Sequence, residues 1–163
     1  MRTKDIMTSP VVTVTPDTPL KDVAALLVER GINAVPVADA GNRLCGIVSE
    51  ADLLTLEIAT SGASQPHTAR EVMTQSVYTL AEDTDAAAAA RMMLRHGLKS
   101  VPVVSGDQLV GIVARRDLLR LVARGGDDVR ADLQARLEES IELLRRMRIE
   151  SPTASSPSPA PAT

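Results

Sequence analysis

The sequence predicts an α+β fold made of two tandem copies of one β-α-β-β-α unit. Residues 4–37 align with residues 70–103, and residues 44–56 align with residues 109–121. The 47 aligned positions share 19 identities, far more than chance provides. One unit alone would bury little apolar surface. We therefore expect the two copies to pack as a pseudo-two-fold pair, followed by a C-terminal helix and a disordered tail.

Each copy begins with a short β-prone stretch, at 11–14 in the first copy and at 77–80 in the second. A helix follows, and Thr18 and Thr84 are the predicted N-caps because a hydroxyl can accept a hydrogen bond from a helix N-terminal N–H. Apolar residues then recur at helical spacing. A glycine after each run predicts the left-handed residue that often closes a helix, at Gly31 and Gly97.

The second half of each copy is predicted to form a β-hairpin and a second helix. The first strand of each hairpin contains a proline, Pro36 or Pro102, which has no N–H to donate to a neighbouring strand. We therefore expect these residues at the edge of a sheet or at a strand start. The hairpin partners are predicted at 44–48 and 109–113, and the second helices start near Glu50 and Arg115.

The chain divides into five predicted segments. They are a first repeat at 1–60, a polar linker at 61–68, a second repeat at 69–124, a C-terminal helix at 125–150 and a tail at 151–163. The Ser/Pro/Ala-rich tail cannot bury a core. The C-terminal helix either packs on its own domain or binds a second copy or a partner. Its apolar stripe consists of Val129, Leu133, Leu137, Ile141 and Leu144.

Composition excludes several classes of function. The chain has 18 basic and 21 acidic residues, and Tyr78 is its only aromatic residue, so nucleic-acid binding is not expected. No apolar run is long enough for a membrane span. The single cysteine, Cys45, allows no internal disulfide, and with no signal-peptide pattern we expect a cytoplasmic protein. No metal-ligand spacing, nucleophile triad or phosphate-binding loop is present, so no catalytic residues are predicted.

The repeated motifs resemble those of the cystathionine β-synthase (CBS) domain family. The resemblance covers about residues 1–122, and its duplication makes it more specific than any single motif. It implies a stand-alone tandem CBS pair that is regulatory rather than enzymatic. The motifs are Asp5–Thr8, Gly31–Val37 and Gly46–Leu54 in the first copy, and Val72–Thr74, Gly97–Val103 and Gly111–Leu119 in the second.

The resemblance also implies two clefts between the copies that bind AMP, ADP, ATP or S-adenosylmethionine. A carboxylate can accept hydrogen bonds from both ribose hydroxyls, and Asp52 and Asp117 are each predicted in the first turn of a helix. A phosphate nearby needs hydroxyls and cations, which Ser49 and Lys99 supply. The pattern Gly-x-x-Ser/Thr-x-x-Asp is complete at Ser49, whereas Ala114 replaces the hydroxyl in the second copy.

Each cleft, as the resemblance implies, joins the Asp-bearing turn of one copy to the first strand and the residues before the proline of the other. The first cleft is expected to bind more tightly, because it alone combines hydroxyl, carboxylate and cation. It consists of Ser49, Asp52, Thr74, Tyr78, Lys99 and Ser100. The second consists of Asp117, Arg115, Arg116, Thr8, Val12, Asn33 and Ala34.

Two functions follow from this sequence. The first is a non-enzymatic sensor that binds an adenosine-containing ligand and signals by conformational change to an unidentified protein partner. The alternative is a ligand-free module for dimerisation or partner docking, which the interrupted motif at Ala114 favours. The resemblance implies a homodimer in either case, without specifying the surface.

Overall fold

The computed structural model describes residues 1–59 and 66–124, and beyond them residues 131, 134–135, 138–139, 141–142 and 145. It divides the chain into two compact units, Met1–Arg124 and Gly125–Thr163. The first unit holds both repeats. Its elements are α1 (Thr3–Ile6), α2 (Leu20–Arg30), β1 (Ala34–Ala38), β2 (Leu44–Ser49), α3 (Glu50–Ala59), α4 (Ala69–Val72), β3 (Leu80–Ala81), α5 (Ala86–Arg95), β4 (Ser100–Ser105), β5 (Gln108–Ala114) and α6 (Arg115–Ala123).

The hairpins form the sheets in both repeats. Strands β1 and β2 pair antiparallel with Ala34 opposite Ser49, and β4 and β5 pair antiparallel with Ser100 opposite Ala114. Each hairpin has a register shift at the same place, after Val37 and after Val103. In the second repeat β3 adds to β4 in parallel, which gives the order β3-β4-β5.

The β-prone stretches at 11–14 and 77–80 are strands only at their ends, so that prediction is largely wrong. Val14 makes one parallel bridge to Val37, and β3 is limited to Leu80–Ala81. The preceding residues lie outside the sheets and border the clefts between the repeats, where Val12 and Tyr78 are lining residues. A β-prone pattern thus marks a cleft wall here.

Strand β4 is the central strand of its sheet, which contradicts the edge prediction. Strand β1 is at the edge of a two-stranded sheet, but Val14 bridges to it on the side away from β2. The hydrogen bonds of the first repeat explain how a proline is tolerated. The Pro36 carbonyl accepts from the N–H of Val14 at 3.1 Å, and the next bond uses the N–H of Ala38. The hydrogen bonds between β1 and Val14 therefore begin at the Pro36 carbonyl, and neither of them needs the N–H that proline lacks.

Both predicted threonine N-caps are wrong by one residue. Helix α2 has Pro19 as its N-cap, and the Thr18 hydroxyl instead accepts a hydrogen bond from the N–H of Thr15 at 3.0 Å. Helix α5 has Asp85 as its N-cap, which accepts from the N–H of Ala87 at 3.2 Å. The helix ends agree better, since Gly31 and Gly97 both have positive φ angles.

The two repeats exchange their N-terminal segments. Helix α1 lies against the second repeat, where the N–H of Thr3 donates to the carbonyl of Thr84 at 2.8 Å. Helix α4 lies against the first repeat, where the N–H of Ala69 donates to the carbonyl of Thr18 at 2.9 Å. The segment that opens each repeat in sequence therefore completes the other repeat in space.

The exchange continues into both hydrophobic cores and sheets. Thr8 exchanges backbone hydrogen bonds of 2.8 and 3.1 Å with Ile112 of β5, and Thr74 exchanges bonds of 2.9 and 3.0 Å with Ile47 of β2. The core of the first repeat contains fully buried valines of β1 and β2 together with Ala69 and Met73 of the exchanged segment; the core of the second is built in the same way with Ile6 and Met7.

The described residues of the second unit, 131, 134–135, 138–139, 141–142 and 145, are all helical. Of the predicted apolar stripe, Ile141 is described and is half exposed. Val129, Leu133, Leu137 and Leu144 lie outside the described residues, as do most of the linker and the whole of the tail at 151–163.

Candidate functional site

The larger of two clefts between the repeats has a volume of about 350 Å³. We call it the Asp52 cleft. The start of α3, the segment before β3 and the turn between α5 and β4 form its walls. All six residues predicted for the first cleft line it: Ser49, Asp52, Thr74, Tyr78, Lys99 and Ser100.

Asp52 has one oxygen engaged and one available. Its Oδ2 accepts a hydrogen bond from the N–H of Ser49 at 2.8 Å, and the Ser49 hydroxyl accepts from the N–H of Asp52 at 3.2 Å. This reciprocal pair caps the N-terminus of α3. Within the described part of the chain, Asp52 Oδ1 has no hydrogen-bond partner. The cap therefore fixes the carboxylate and leaves one oxygen for a ligand.

The other polar groups of the Asp52 cleft make contacts between the repeats. Lys99 Nζ lies 3.1 Å from Glu50 Oε1, and the Ser100 hydroxyl donates to Asn33 Oδ1 at 3.2 Å. Tyr78 is half exposed, and its ring stacks on His96 with centroids 4.2 Å apart. A base that entered this cleft would therefore meet an aromatic face that is already oriented by a second ring.

The second cleft, which we call the Asp117 cleft, has a volume of about 220 Å³. Asn33 and Ala34 line both clefts. Arg115, which was predicted here, does not line it, because its Nε donates to the carbonyl of Leu98 at 2.7 Å. The predicted residues that do line it are Asp117, Arg116, Thr8, Val12, Asn33 and Ala34.

Asp117 differs from Asp52 in that both of its oxygens are engaged. Oδ2 accepts from the N–H of Ala114 at 2.8 Å, and Oδ1 accepts from Arg120 Nη1 at 2.9 Å. Its side chain is buried, whereas Arg120 is exposed. The Arg116 guanidinium donates to the carbonyl of Gly31 at 2.9 Å, across the repeat boundary.

Two arginines that the sequence motifs did not predict, Arg30 and Arg120, also line the Asp117 cleft. The signal for Arg120 was available, because a cation three residues after an aspartate lies on the same helix face. Arg30 carried no such signal. It is the last residue of α2, and only the packing of the repeats brings it to the cleft.

The described residues contain no group of three or more His, Cys, Asp or Glu side chains placed to hold a metal ion. In the same part of the chain, no helix has both the length and the apolarity that crossing a bilayer requires.

Comparison with known proteins agrees with the fold and identifies its family. The CBS domain matches residues 4–58 and again residues 69–124. The chain therefore belongs to the CBS domain family, as a tandem pair. A 33.4 kDa protein of Thermofilum pendens, whose gene lies in a ribosomal RNA operon, is 35% identical over 120 residues, which are 74% of this chain and 37% of that relative.

Two solved structures of similar CBS proteins contain adenosine compounds. CBSX2, solved in complex with AMP, is 30% identical to this chain with a TM-score of 0.68. The match covers 76% of this chain and 96% of the CBSX2 chain. The CBS pair of protein MJ0100, bound to 5′-methylthioadenosine and S-adenosyl-L-methionine, is 29% identical with a TM-score of 0.69 and the same coverage.

Proposed function

We propose that this protein is a regulatory, non-enzymatic module that binds an adenosine-containing ligand between its two CBS repeats. The observation that carries the proposal is that Oδ1 of Asp52 is available to a ligand. The capping bond to Ser49 holds the Asp52 carboxylate at the wall of the cleft that Lys99 and Tyr78 also line. A fixed carboxylate oxygen suits ribose hydroxyls, and the ring of Tyr78 suits adenine. The adenosine ligands of CBSX2 and of MJ0100 support the same ligand class.

The exchanged segments supply a route for the signal. A ligand in the Asp52 cleft would touch Thr74, whose backbone pairs with Ile47 of the first repeat. It would also touch Lys99 and Ser100 of the second repeat. A ligand that binds one relative placement of the repeats more tightly shifts the population toward it, and a protein partner reads the change. A cytoplasmic location fits the free thiol of Cys45.

The test is a calorimetric titration of the full, nucleotide-stripped chain with AMP, ADP, ATP and S-adenosylmethionine. Asp52→Asn is the informative variant, because an amide oxygen can still accept from the N–H of Ser49 while the carboxylate is lost. We expect micromolar binding of at least one ligand, weakened about tenfold or more in the variant, in line with the strength of charge-assisted hydrogen bonds.

Asp5→Asn is the matched control. Asp5 accepts a capping bond of 2.8 Å from the N–H of Arg2, as Asp52 does from Ser49, but it lines neither cleft. Equal weakening by both variants would mean that capping, and not ligand contact, matters. Binding that is unchanged in Asp52→Asn would refute the site.

The second candidate function is a ligand-free module for dimerisation or partner docking. It is favoured by the caps themselves, because the bonds of Ser49, Asp52 and Asp117 at two helix starts give these residues a structural role without any ligand. Failure of all four ligands to bind would favour this candidate.

A further inference from the structure

The two clefts have opposite charge although they occupy equivalent places in the two repeats. The Asp117 cleft is lined by three arginines, Arg30, Arg116 and Arg120, against one carboxylate. The Asp52 cleft is lined by two carboxylates, Glu50 and Asp52, against one lysine, Lys99. The lysine is already paired with Glu50 at 3.1 Å.

The contrast arises from substitutions at equivalent positions of the two copies. Helix α3 begins Glu50-Ala51-Asp52, whereas α6 begins Arg115-Arg116-Asp117. The position of Arg120 in α6 corresponds to Thr55 in α3. Arg116 and Arg120 add cations to the Asp117 cleft, whereas Arg115 replaces the acidic Glu50 without lining that cleft.

Arg30 is the cation with the most capacity left for a ligand. It is exposed at the end of α2, lines the Asp117 cleft, and its guanidinium has no hydrogen-bond or ion-pair partner among the residues that the structure describes. The equivalent residue of the second repeat is His96, whose ring stacks on Tyr78 beside the Asp52 cleft. One position thus supplies a guanidinium to one cleft and supports an aromatic face at the other.

These charges select different 5′ groups on a nucleoside. A phosphate carries negative charge, which several arginines attract and which the carboxylate of Glu50 repels. The thioether of 5′-methylthioadenosine carries no charge, so neither cleft attracts or repels it electrostatically. The sulfonium and amino-acid groups of S-adenosylmethionine carry charges of both signs, which the Glu50–Lys99 pair can meet. In the Asp117 cleft the ribose has a poorer acceptor, because Arg120 holds Asp117 Oδ1.

We propose that the two clefts sort adenosine compounds by charge. The Asp117 cleft takes 5′-phosphorylated nucleosides, with Arg30 as a phosphate contact, and the Asp52 cleft takes adenosine compounds without a 5′-phosphate. The inference rests on the proposed function and specifies its ligand classes. The protein would then respond to two classes of adenosine compound, one in each cleft.

The test uses the full chain, titrated calorimetrically with AMP and with 5′-methylthioadenosine. We expect Arg30→Gln to weaken AMP binding about tenfold, which is the scale of one lost charge-assisted contact, and to leave 5′-methylthioadenosine binding unchanged. The matched control is Arg95→Gln, because Arg95 is the last residue of α5 as Arg30 is of α2, but lines neither cleft. AMP should also bind with unchanged affinity to protein saturated with 5′-methylthioadenosine.

The outcomes separate the two levels of the argument. If the two compounds compete for one cleft, or if Arg30→Gln leaves AMP binding unchanged, charge sorting is overturned while the adenosine-binding function stands. If neither compound binds and S-adenosylmethionine and ATP also fail, the proposed function falls and the inference falls with it.

Discussion

Arg120 Nη1 lies 2.9 Å from Asp117 Oδ1, whereas Asp52 at the equivalent place has no such partner among the described residues. The residue of α3 that corresponds to Arg120 is Thr55, which carries no charge. One substitution on a neighbouring helical turn therefore distinguishes two aspartates that the repeat makes equivalent.

Removing this ion pair is expected to make the Asp117 cleft a better site for a neutral nucleoside. We predict that Arg120→Met raises the affinity for 5′-methylthioadenosine severalfold, because Asp117 Oδ1 becomes free for a ribose hydroxyl. The measurement is calorimetric titration in an Asp52→Asn background, so that the other cleft contributes little. Thr55→Met is the control in the same background, and equal changes in the two variants would contradict the interpretation.

Two glycines make the exchange of N-terminal segments possible. A Cβ at Gly46 would lie 2.7 Å from Met73 Sδ and 2.9 Å from the backbone oxygen of Thr74, and a Cβ at Gly111 would overlap the side chain of Met7, with Cγ at 2.8 Å. Both glycines are buried. In the first case backbone must move as well as a flexible side chain, whereas in the second only a flexible side chain obstructs the Cβ.

Gly46→Ala is therefore expected to lower the free energy of unfolding by about 1–3 kcal/mol, the usual range for overpacking, and Gly111→Ala by less. Urea unfolding measures both. The sharper test is a pair of double-mutant cycles. Met7→Ala should relieve most of the cost of Gly111→Ala, whereas Met73→Ala should relieve only part of the cost of Gly46→Ala, because the Thr74 carbonyl still obstructs the Cβ. The reverse pattern would contradict this account of the contacts.

Much of the fold could be predicted because the sequence contains two copies of one unit, and each copy shows the same pattern of strands and helices. The hairpins and the helix starts at Glu50 and Arg115 lie where predicted. The repeat alone could not predict the exchange of segments, because the aligned copies are the same whether residues 1–8 complete the first copy or the second. Only packing decides between these, and Met7 and Met73 give no sign of it in the sequence. The family resemblance implied the exchange by placing Thr74 with Asp52 and Thr8 with Asp117.

The candidate site was predictable only in part, for a similar physical reason. The motif around Asp52 identifies residues within one chain segment, and these line a single cleft. The motif gives no information on which groups are already engaged. Arg115 matched the pattern and turned out to bind the carbonyl of Leu98, while Arg30 lay outside every motif and lines the cleft.

Acid should destabilise the protein partly through Glu71. Its Oε2 accepts hydrogen bonds from the N–H of His67 at 2.6 Å and of Thr68 at 2.8 Å, and these bonds lower the pKa of Glu71 from its ordinary value of 4.5. A carboxyl with a lowered pKa stabilises the fold fully above the unfolded-state value, and this contribution disappears as the pH falls through the folded-state pKa.

We therefore expect Glu71→Gln to reduce stability at neutral pH and to flatten the loss of stability below about pH 4.5, where the carboxyl of the unfolded chain takes up a proton more readily than that of the folded chain. Urea unfolding at a series of pH values measures this. Glu29→Gln is the control, since Glu29 lies exposed on α2 and shares none of these bonds. Parallel curves for wild type and Glu71→Gln would contradict the prediction.

We expect homodimerisation through the second helices of the repeats. Leu54 and Ile58 of α3 are 63% and 84% exposed, and Leu119 and Val122 of α6 are 65% and 38% exposed. Each pair is spaced so that both side chains lie on one helix face. Two such faces in equivalent places suit a self-complementary interface.

Leu54→Glu combined with Leu119→Glu should halve the mass measured by light scattering, whereas Val28→Glu on α2 should not. An unchanged mass in the double variant would exclude this surface.

Asn42 joins the two hairpin turns, and its replacement should loosen the pair of repeats. Its side-chain Nδ2 donates to the carbonyl of Leu109 at 2.9 Å, and its own carbonyl accepts from the N–H of Leu109 at 3.0 Å. It also has a φ of 59°, in the left-handed region, which asparagine tolerates better than most residues. The residue therefore has two roles that substitutions can separate.

Asn42→Gly keeps the backbone conformation and loses the side-chain bond, so we expect a loss of about 1 kcal/mol in the free energy of unfolding. Asn42→Ala loses the same bond and adds the strain of a Cβ at positive φ, so the loss should be about 1 kcal/mol larger. Urea unfolding gives both values, and hydrogen exchange at the Leu109 amide reports whether the loosening is local. If alanine proves no worse than glycine, the backbone of this turn is not what holds the hairpins together, and the side-chain bond alone accounts for the contact.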